Sequence, residues 1–193
     1  TAAVYYDAKD IPQGFLLYWV EEDVFHIREM VYLTQEARKG LWNFIRAHYS
    51  MIDAVKGHIY TGEPLAFLLD ESQIQETIEP YFMARIVDVA QFLRLYPFEG
   101  SIRPFHFVVT DPMAEWNNGI FSVATDREGT VSVTDEPAGK AVELDIQTLS
   151  AMLMGYKRPS YLARIERLHT DKRTLRLLEE IIPDGQPYFS DYF

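Results

Sequence analysis

Phe189, Tyr192 and Phe193 stand in the closing stretch Pro187-Tyr188-Phe189-Ser190-Asp191-Tyr192-Phe193, where a chain normally ends in something polar and mobile. Aromatic rings gain by leaving water, and a tail that docks to bury them carries the terminal α-carboxylate of Phe193 into the protein with it. A free carboxyl terminus has a reference pKa near ~3.5, and an aromatic pocket disfavours its charged form and raises its basicity. That chemistry suits a general base that no side-chain motif would reveal. A hydrophobic tail that merely seals a core is the other reading of the same residues.

The composition narrows the partners such a base could serve. A chain of 193 residues suits one large domain or two small ones. Twelve Tyr, twelve Phe and three Trp are enough for sizeable cores and for an aromatic-lined pocket. Eighteen basic residues against twenty-nine acidic ones give a net charge of -11, which attracts cationic ligands and argues against nucleic acid and anionic membranes as partners. The absence of Cys excludes disulfides and thiolate metal sites and makes a reducing cytoplasm the expected home. No apolar run approaches membrane-spanning length. The start, Thr1-Ala2-Ala3-Val4-Tyr5-Tyr6, has neither an initiating Met nor a basic leader, and reads as an interior cut of a longer chain.

The elements that must position these groups fall into two segments. Ala2–Asp7, Phe15–Glu21 and Val24–Leu33 have strand character, parted by turn residues. Thr34 caps a helix of about 15 residues whose Ala37, Leu41, Phe44, Ile45 and His48 recur at helical spacing, and Asp53–Tyr60 reads as a further strand. Thr61-Gly62-Glu63-Pro64 breaks the pattern, and Leu65–Pro80 reads as a connection with short helical turns, so the domain boundary is expected there. In the second segment, Tyr81–Val87 reads as a dense apolar strand and Asp88 as the cap of a short helix stopped by Pro97. Ile102–Thr110, Gly119–Thr125, Thr130–Thr134 and Ala141–Leu144 follow as strands, with a hairpin at Asp126-Arg127-Glu128-Gly129. Asp145 caps a helix closed by Gly155, and Ser160–Leu168 and Asp171–Ile182 complete the helices.

Other residues have ordinary explanations. Trp116 and Asn117 before Gly119 suit a turn anchored by a buried ring as well as a pocket wall. His26, His48, His58, His106 and His169 lack metal-ligand spacing. Arg85, inside an apolar run, invites a structural ion pair for which Asp88 and Glu79 are the local candidates. Lys157, Arg158 and the basic stretch from Arg164 to Arg176 read as a solvated or interdomain face.

Two resemblances add to this. In acetyltransferases of the general-control-non-repressible type (GNAT), the loop Arg/Gln-x-x-Gly-x-Gly/Ala joins a strand to a helix and holds the acetyl-CoA pyrophosphate on its amides. Ala37-Arg38-Lys39-Gly40-Leu41-Trp42 occupies the corresponding place, with Gly40 kept, Ala37 for the Arg or Gln, and Trp42 where a small residue belongs. This resembles such a fold with its cofactor loop lost; an amphipathic helix on a sheet explains the same residues without ancestry. The second resemblance rests on Phe82-Met83-Ala84-Arg85-Ile86-Val87-Asp88-Val89, Phe92-Leu93, Tyr96-Pro97-Phe98, Trp116-Asn117-x-Gly119-x-Phe121, Leu144-Asp145-Ile146-Gln147-x-Leu149 and the final Asp191-Tyr192-Phe193. In this order they resemble the C-terminal half of the enhanced-intracellular-survival (Eis) acetyltransferases.

The resemblance implies an α+β chain: a partial GNAT-like mixed sheet with one long helix over 1–64, the end of a degenerate second acetyltransferase domain. A linker over 65–80 and a sterol-carrier-protein-like α+β domain over 81–193 follow. It implies an N-acetyltransferase for which Phe193 supplies the base, with Asp191 and Tyr192 beside it against a cationic amine. Acetyl-CoA is then bound by a domain upstream of Thr1, in a homo-oligomer. A carrier of lipids or other hydrophobic ligands, and an assembly module without catalysis, are the alternatives.

Overall fold

Glu22 and Asp23 both adopt positive φ, 49° and 59°, and this two-residue turn matches the twist of the strands it joins. It connects β2 (Pro12–Glu21) to β3 (Val24–Tyr32), which pair antiparallel from Glu21↔Val24 outward. β1 (Ala2–Tyr6) pairs with the other edge of β2 after a loop in which Asp7 accepts the Lys9 and Ile11 N–H groups at 2.8 and 3.0 Å. The computed structural model describes residues 1–59, 65–69, 73–79, 82–126, 129–187 and 189, in two compact units, 1–74 and 75–193.

In the first unit the chain crosses from β3 through α1 (Gln35–Arg46) to β4 (Ala54–Gly57), which lies parallel to β3 in a four-stranded sheet of order β1-β2-β3-β4. A parallel neighbour requires such a crossover. Thr34 Oγ1 accepts the Ala37 N–H at 3.1 Å and starts the helix, whose Ala37, Leu41 and Ile45 are buried at helical spacing. Leu41 and Ile45 pack on Leu16 and Phe25 of the sheet. Pairing of β3 with β4 ends at Ile27↔Gly57, although β3 runs on to Tyr32. A short helical turn, α2 (Leu65–Leu68), follows.

The second unit is built on a five-stranded sheet of order β7-β6-β5-β8-β9. Its strands are β5 (Phe105–Thr110), β6 (Gly119–Thr125), β7 (Val131–Thr134), β8 (Lys140–Asp145) and β9 (Leu168–His169), with β5 and β8 parallel and the other pairs antiparallel. Phe105, Phe107 and Val109 alternate inward on β5 and meet Leu149, Met152 and Leu178 from the helices. Those helices are α3 (Val89–Leu95), α4 (Ile146–Leu153), α5 (Pro159–Arg164) and α6 (Lys172–Ile181). Asp88, Asp145 and Asp171 cap α3, α4 and α6, accepting N–H groups at 2.7–3.0 Å.

The architecture is the expected α+β, a mixed sheet with one long helix followed by a second α+β sheet, but several segments differ from expectation; in the first unit β2 starts at Pro12 rather than Phe15 and β4 ends at Gly57. Within 82–87 there is no strand, because the backbone bonds to side chains instead: Ile86 N–H donates to Ser150 Oγ at 3.1 Å, and Val87 O accepts from Trp116 and Asn117. The first strand of the second sheet begins at Phe105 rather than Ile102, after Pro104, which has no N–H to give a ladder. α5 ends at Arg164 because Glu166 takes a left-handed φ of 61° and Arg167 N–H reaches back to Leu162 O at 2.9 Å. Leu168 is therefore a strand residue rather than a helical one. Arg127 and Glu128 of the expected hairpin lie outside the described residues, while Asp126 and Thr130 bond across it.

Candidate functional site

Phe193, Asp191 and Tyr192, the residues expected to act as base and substrate contacts, lie outside the described residues. What is described is the approach to them. After α6 the chain runs from Ile182 to Pro187 without helix or strand, and Phe189 meets Phe82 with ring centroids 5.6 Å apart.

The segment that carries Phe82 is pinned by a buried polar cluster. Arg85 pairs with neither Asp88 nor Glu79 but with Asp111, 26 residues on, whose carboxylate is fully buried. The carboxylate also accepts the Met113 and Ala114 N–H groups at 3.0 and 3.2 Å and Asn117 Nδ2 at 2.9 Å. Burial pushes the Asp111 pKa up, but Asn117, the two backbone donors and Arg85 outweigh it and hold the carboxyl at about 2. Such a group stays ionised and is a poor proton carrier near neutrality. The Trp116 ring is not the buried anchor expected: it is 67% exposed, and Asn117 is buried instead, bonded to Asp111, Val87 O and the Val89 N–H. The indole N–H donates to Val87 O at 2.8 Å, so both side chains fasten the 82–89 segment.

The Ala37–Trp42 sequence lies within α1, not in a loop ahead of it. The strand-to-helix junction is Leu33-Thr34, where Thr34 already caps the Ala37 N–H and Glu36 adds a negative charge to the first turn. Burial, and then the Glu36 carboxylate that accepts its hydrogen bond, push the Tyr5 phenol up. The guanidinium of Arg38 lies over the Tyr32 ring, 5.8 Å from its centroid, and its Nε is buried. Gly40 is needed for packing, since a Cβ there would collide with the Tyr5 ring. The Thr34 cap on the Ala37 N–H and the Glu36 carboxylate both disfavour an anion such as the pyrophosphate of acetyl-CoA at this helix end.

Three of the five histidines have structural surroundings. His48 Nδ1 lies 2.9 Å from Phe44 O among the rings of Phe25 and Phe44, His106 Nδ1 lies 2.9 Å from Ala138 O, and His26 stacks on Trp19. Among the described residues no group of three or more His, Asp and Glu is placed to hold a metal ion. A groove of about 360 Å³ opens on the second sheet between Val108, Glu143, Glu166 and His169, with Arg167 paired to Asp145 at 2.8 Å beside it. No described helix is long and apolar enough to cross a membrane.

These two units have recognisable relatives. Residues 1–86 match the acetyltransferase (GNAT) domain and residues 89–190 the sterol carrier protein domain. A probable N-acyltransferase from Enterococcus faecalis, described as a conserved protein of unknown function, superposes with a TM-score of 0.90 at 32% identity, over 100% of this chain and 50% of that one. A GCN5-related N-acetyltransferase from Anabaena variabilis does so with a TM-score of 0.80 at 28% identity, over 96% of this chain and 48% of that one. Eis1 from Mycobacterium abscessus shares the fold, with a TM-score of 0.73 at 19% identity over 93% of this chain and 48% of its own. The chain thus spans about half the length of these solved proteins. No curated protein sequence matches it significantly. Through residues 89–190, the protein belongs to the sterol carrier protein domain family, here preceded by an acetyltransferase (GNAT) domain match over residues 1–86.

Proposed function

We propose that this chain is the C-terminal portion of an Eis-like N-acetyltransferase that modifies cationic amines. The observation that carries the reading is the 32% identity along the whole chain with a probable N-acyltransferase, joined to the acetyltransferase-domain match over 1–86. In this reading the first unit is the end of a degenerate acetyltransferase domain. The self-capped N-terminus of α1 and its Glu36 support that, and acetyl-CoA is bound by a domain upstream. Asp191 and Tyr192 contact the acceptor, which the net charge of -11 favours as a cation, and the protein works as a cytoplasmic homo-oligomer.

The Phe193 carboxylate takes a proton from the acceptor ammonium. The nitrogen lone pair that this frees is the nucleophile that acyl transfer needs. A carboxylate suits the task when apolar surroundings raise its pKa, and Phe189 against Phe82 supports an aromatic approach to the site. Amidating the terminus in the full-length protein keeps the ring and abolishes only the basicity. We expect kcat to fall about 10² to 10⁴-fold with little change in stability. Full kcat in the amidated protein across the pH profile would leave Phe193 a packing residue.

The sterol carrier family match favours a second reading, a carrier of hydrophobic ligands. Phe105, Phe107, Leu149, Met152 and Leu178 fill the space between the second sheet and its helices, which weighs against it. Saturable displacement of a fluorescent fatty acid would favour the carrier.

A further inference from the structure

The two sheets differ in what they present on the face away from their helices. In the second unit β7 reads Val131-Ser132-Val133-Thr134, apolar inward and polar outward, as a strand with one solvated face should. β2 instead reads Phe15-Leu16-Leu17-Tyr18-Trp19-Val20 without alternation, the pattern of a strand covered on both faces. α1 covers one of them, packing on Leu16. The other carries Phe15 and Leu17, paired with Val4 and Ala2 of β1, and Val31 of β3 lies beside Phe15.

These five residues and Leu33 line an apolar groove of about 440 Å³. Val4 is 47% and Leu33 75% exposed, so the groove holds apolar surface in water that a covering segment would remove. In the probable N-acyltransferase and the Anabaena variabilis acetyltransferase the match takes up 50% and 48% of the length, so each carries about as much polypeptide again outside it. Polypeptide joined at Thr1 enters beside the groove: Ala2 forms part of the wall, and Thr1 and Tyr18 exchange backbone hydrogen bonds at 3.0 Å in both directions. Elements adjacent in sequence are usually neighbours in space.

We propose that this groove is the docking surface for the polypeptide that precedes Thr1 in the longer protein, which lays an apolar face across the sheet opposite α1. The sheet is then covered on both sides, as the unbroken apolar run of β2 requires. This rests on the part of the functional reading that places a domain upstream.

The test introduces single thiols into the full-length protein, since residues 1–193 contain no Cys. Leu33→Cys and Val4→Cys report on the groove, and Tyr49→Cys, exposed in the turn after α1, is the control. Maleimide labelling is read by mass spectrometry on the peptide that carries each thiol. It is expected to be about 100-fold slower at the two groove sites than in the urea-unfolded protein, and little slowed at the control. A benzophenone side chain placed at position 33 is expected to cross-link to a peptide upstream of Thr1, in a product of unchanged mass. Groove thiols that label as fast as the control overturn the proposal. So does a cross-link to a peptide within residues 1–193, or one that doubles the mass and so assigns the face to a second copy. If Leu33→Cys does not fold, Val4→Cys carries the labelling comparison. Acetyl transfer from acetyl-CoA to an amine is measured alongside in the parent protein. Freely labelled groove thiols in a protein that has this activity overturn the docking surface alone. Protected thiols in a protein that lacks it overturn the functional reading and leave the docking surface standing.

Discussion

Nη2 of Arg85 lies 2.7 and 2.6 Å from the two carboxylate oxygens of Asp111, a residue with no exposed surface. The pair ties the segment before α3 to the loop after β5. Removing the cation leaves a buried carboxylate with neutral donors alone, which costs more than the pair itself contributes. Arg85→Met is expected to lower the thermal midpoint by roughly 10 °C. Asp111→Asn, which leaves a half-exposed Arg85 facing a neutral group, should cost less. A scanning calorimetry trace of Arg85→Met that matches the parent would refute the pair's importance.

The same carboxylate sets a pH dependence. Its pKa in the folded protein is about 2 against an ordinary 3.8, so the folded state binds its proton less tightly than the unfolded chain. The stabilisation is fully present above the unfolded value and is lost as pH falls from about 4 towards 2. The thermal midpoint of the parent should therefore decline more steeply across that window than that of Asp111→Asn, and the two curves should run parallel above pH 5. Equal slopes in acid would mean that Asp111 is not the group responsible.

Gly40→Ala separates helix propensity from packing. In the interior of α1, Ala is favoured over Gly by about 1 kcal/mol. The added methyl meets the Tyr5 ring, and overpacking of this kind costs about 1–3 kcal/mol. A net loss of stability is expected in urea titration, whereas the same Gly40→Ala change made in a Tyr5→Ala background is expected to stabilise that background. A stabilised single variant would show that the ring moves freely.

Calorimetric titration of this chain with acetyl-CoA is expected to give no saturable heat, since Thr34 and Glu36 occupy the end of α1 where a pyrophosphate would sit. A saturable heat at micromolar concentration would overturn the degenerate-domain reading.

Local chemistry was legible wherever one residue type suffices. Thr34, Asp88, Asp145 and Asp171 each accept an N–H from their own helix, because a short oxygen-bearing side chain does this within one turn whatever surrounds it. Gly155 closes α4 as expected, with Tyr156 N–H on Ala151 O. Glu166 makes the same kind of closure for α5 without the glycine that would signal it, so nothing in the local sequence marks an end before Leu168.

The rest was settled by partners far along the chain. Phe82-Met83-Ala84-Arg85-Ile86-Val87 has strand composition, yet Asp111, Trp116, Asn117 and Ser150 take up its bonds from 26 to 64 residues away, leaving no ladder to join. Arg85 for the same reason passed over its neighbours for a buried carboxylate, and Asn117 rather than Trp116 went inside because its amide can satisfy donors and acceptors at once. The sequence determined which residues can cap, turn and line a core, since those properties belong to a side chain and its nearest backbone. Tertiary structure alone decided which polar groups meet and which run of apolar residues lacks a neighbouring strand, because a buried hydrogen bond needs both partners brought out of water together.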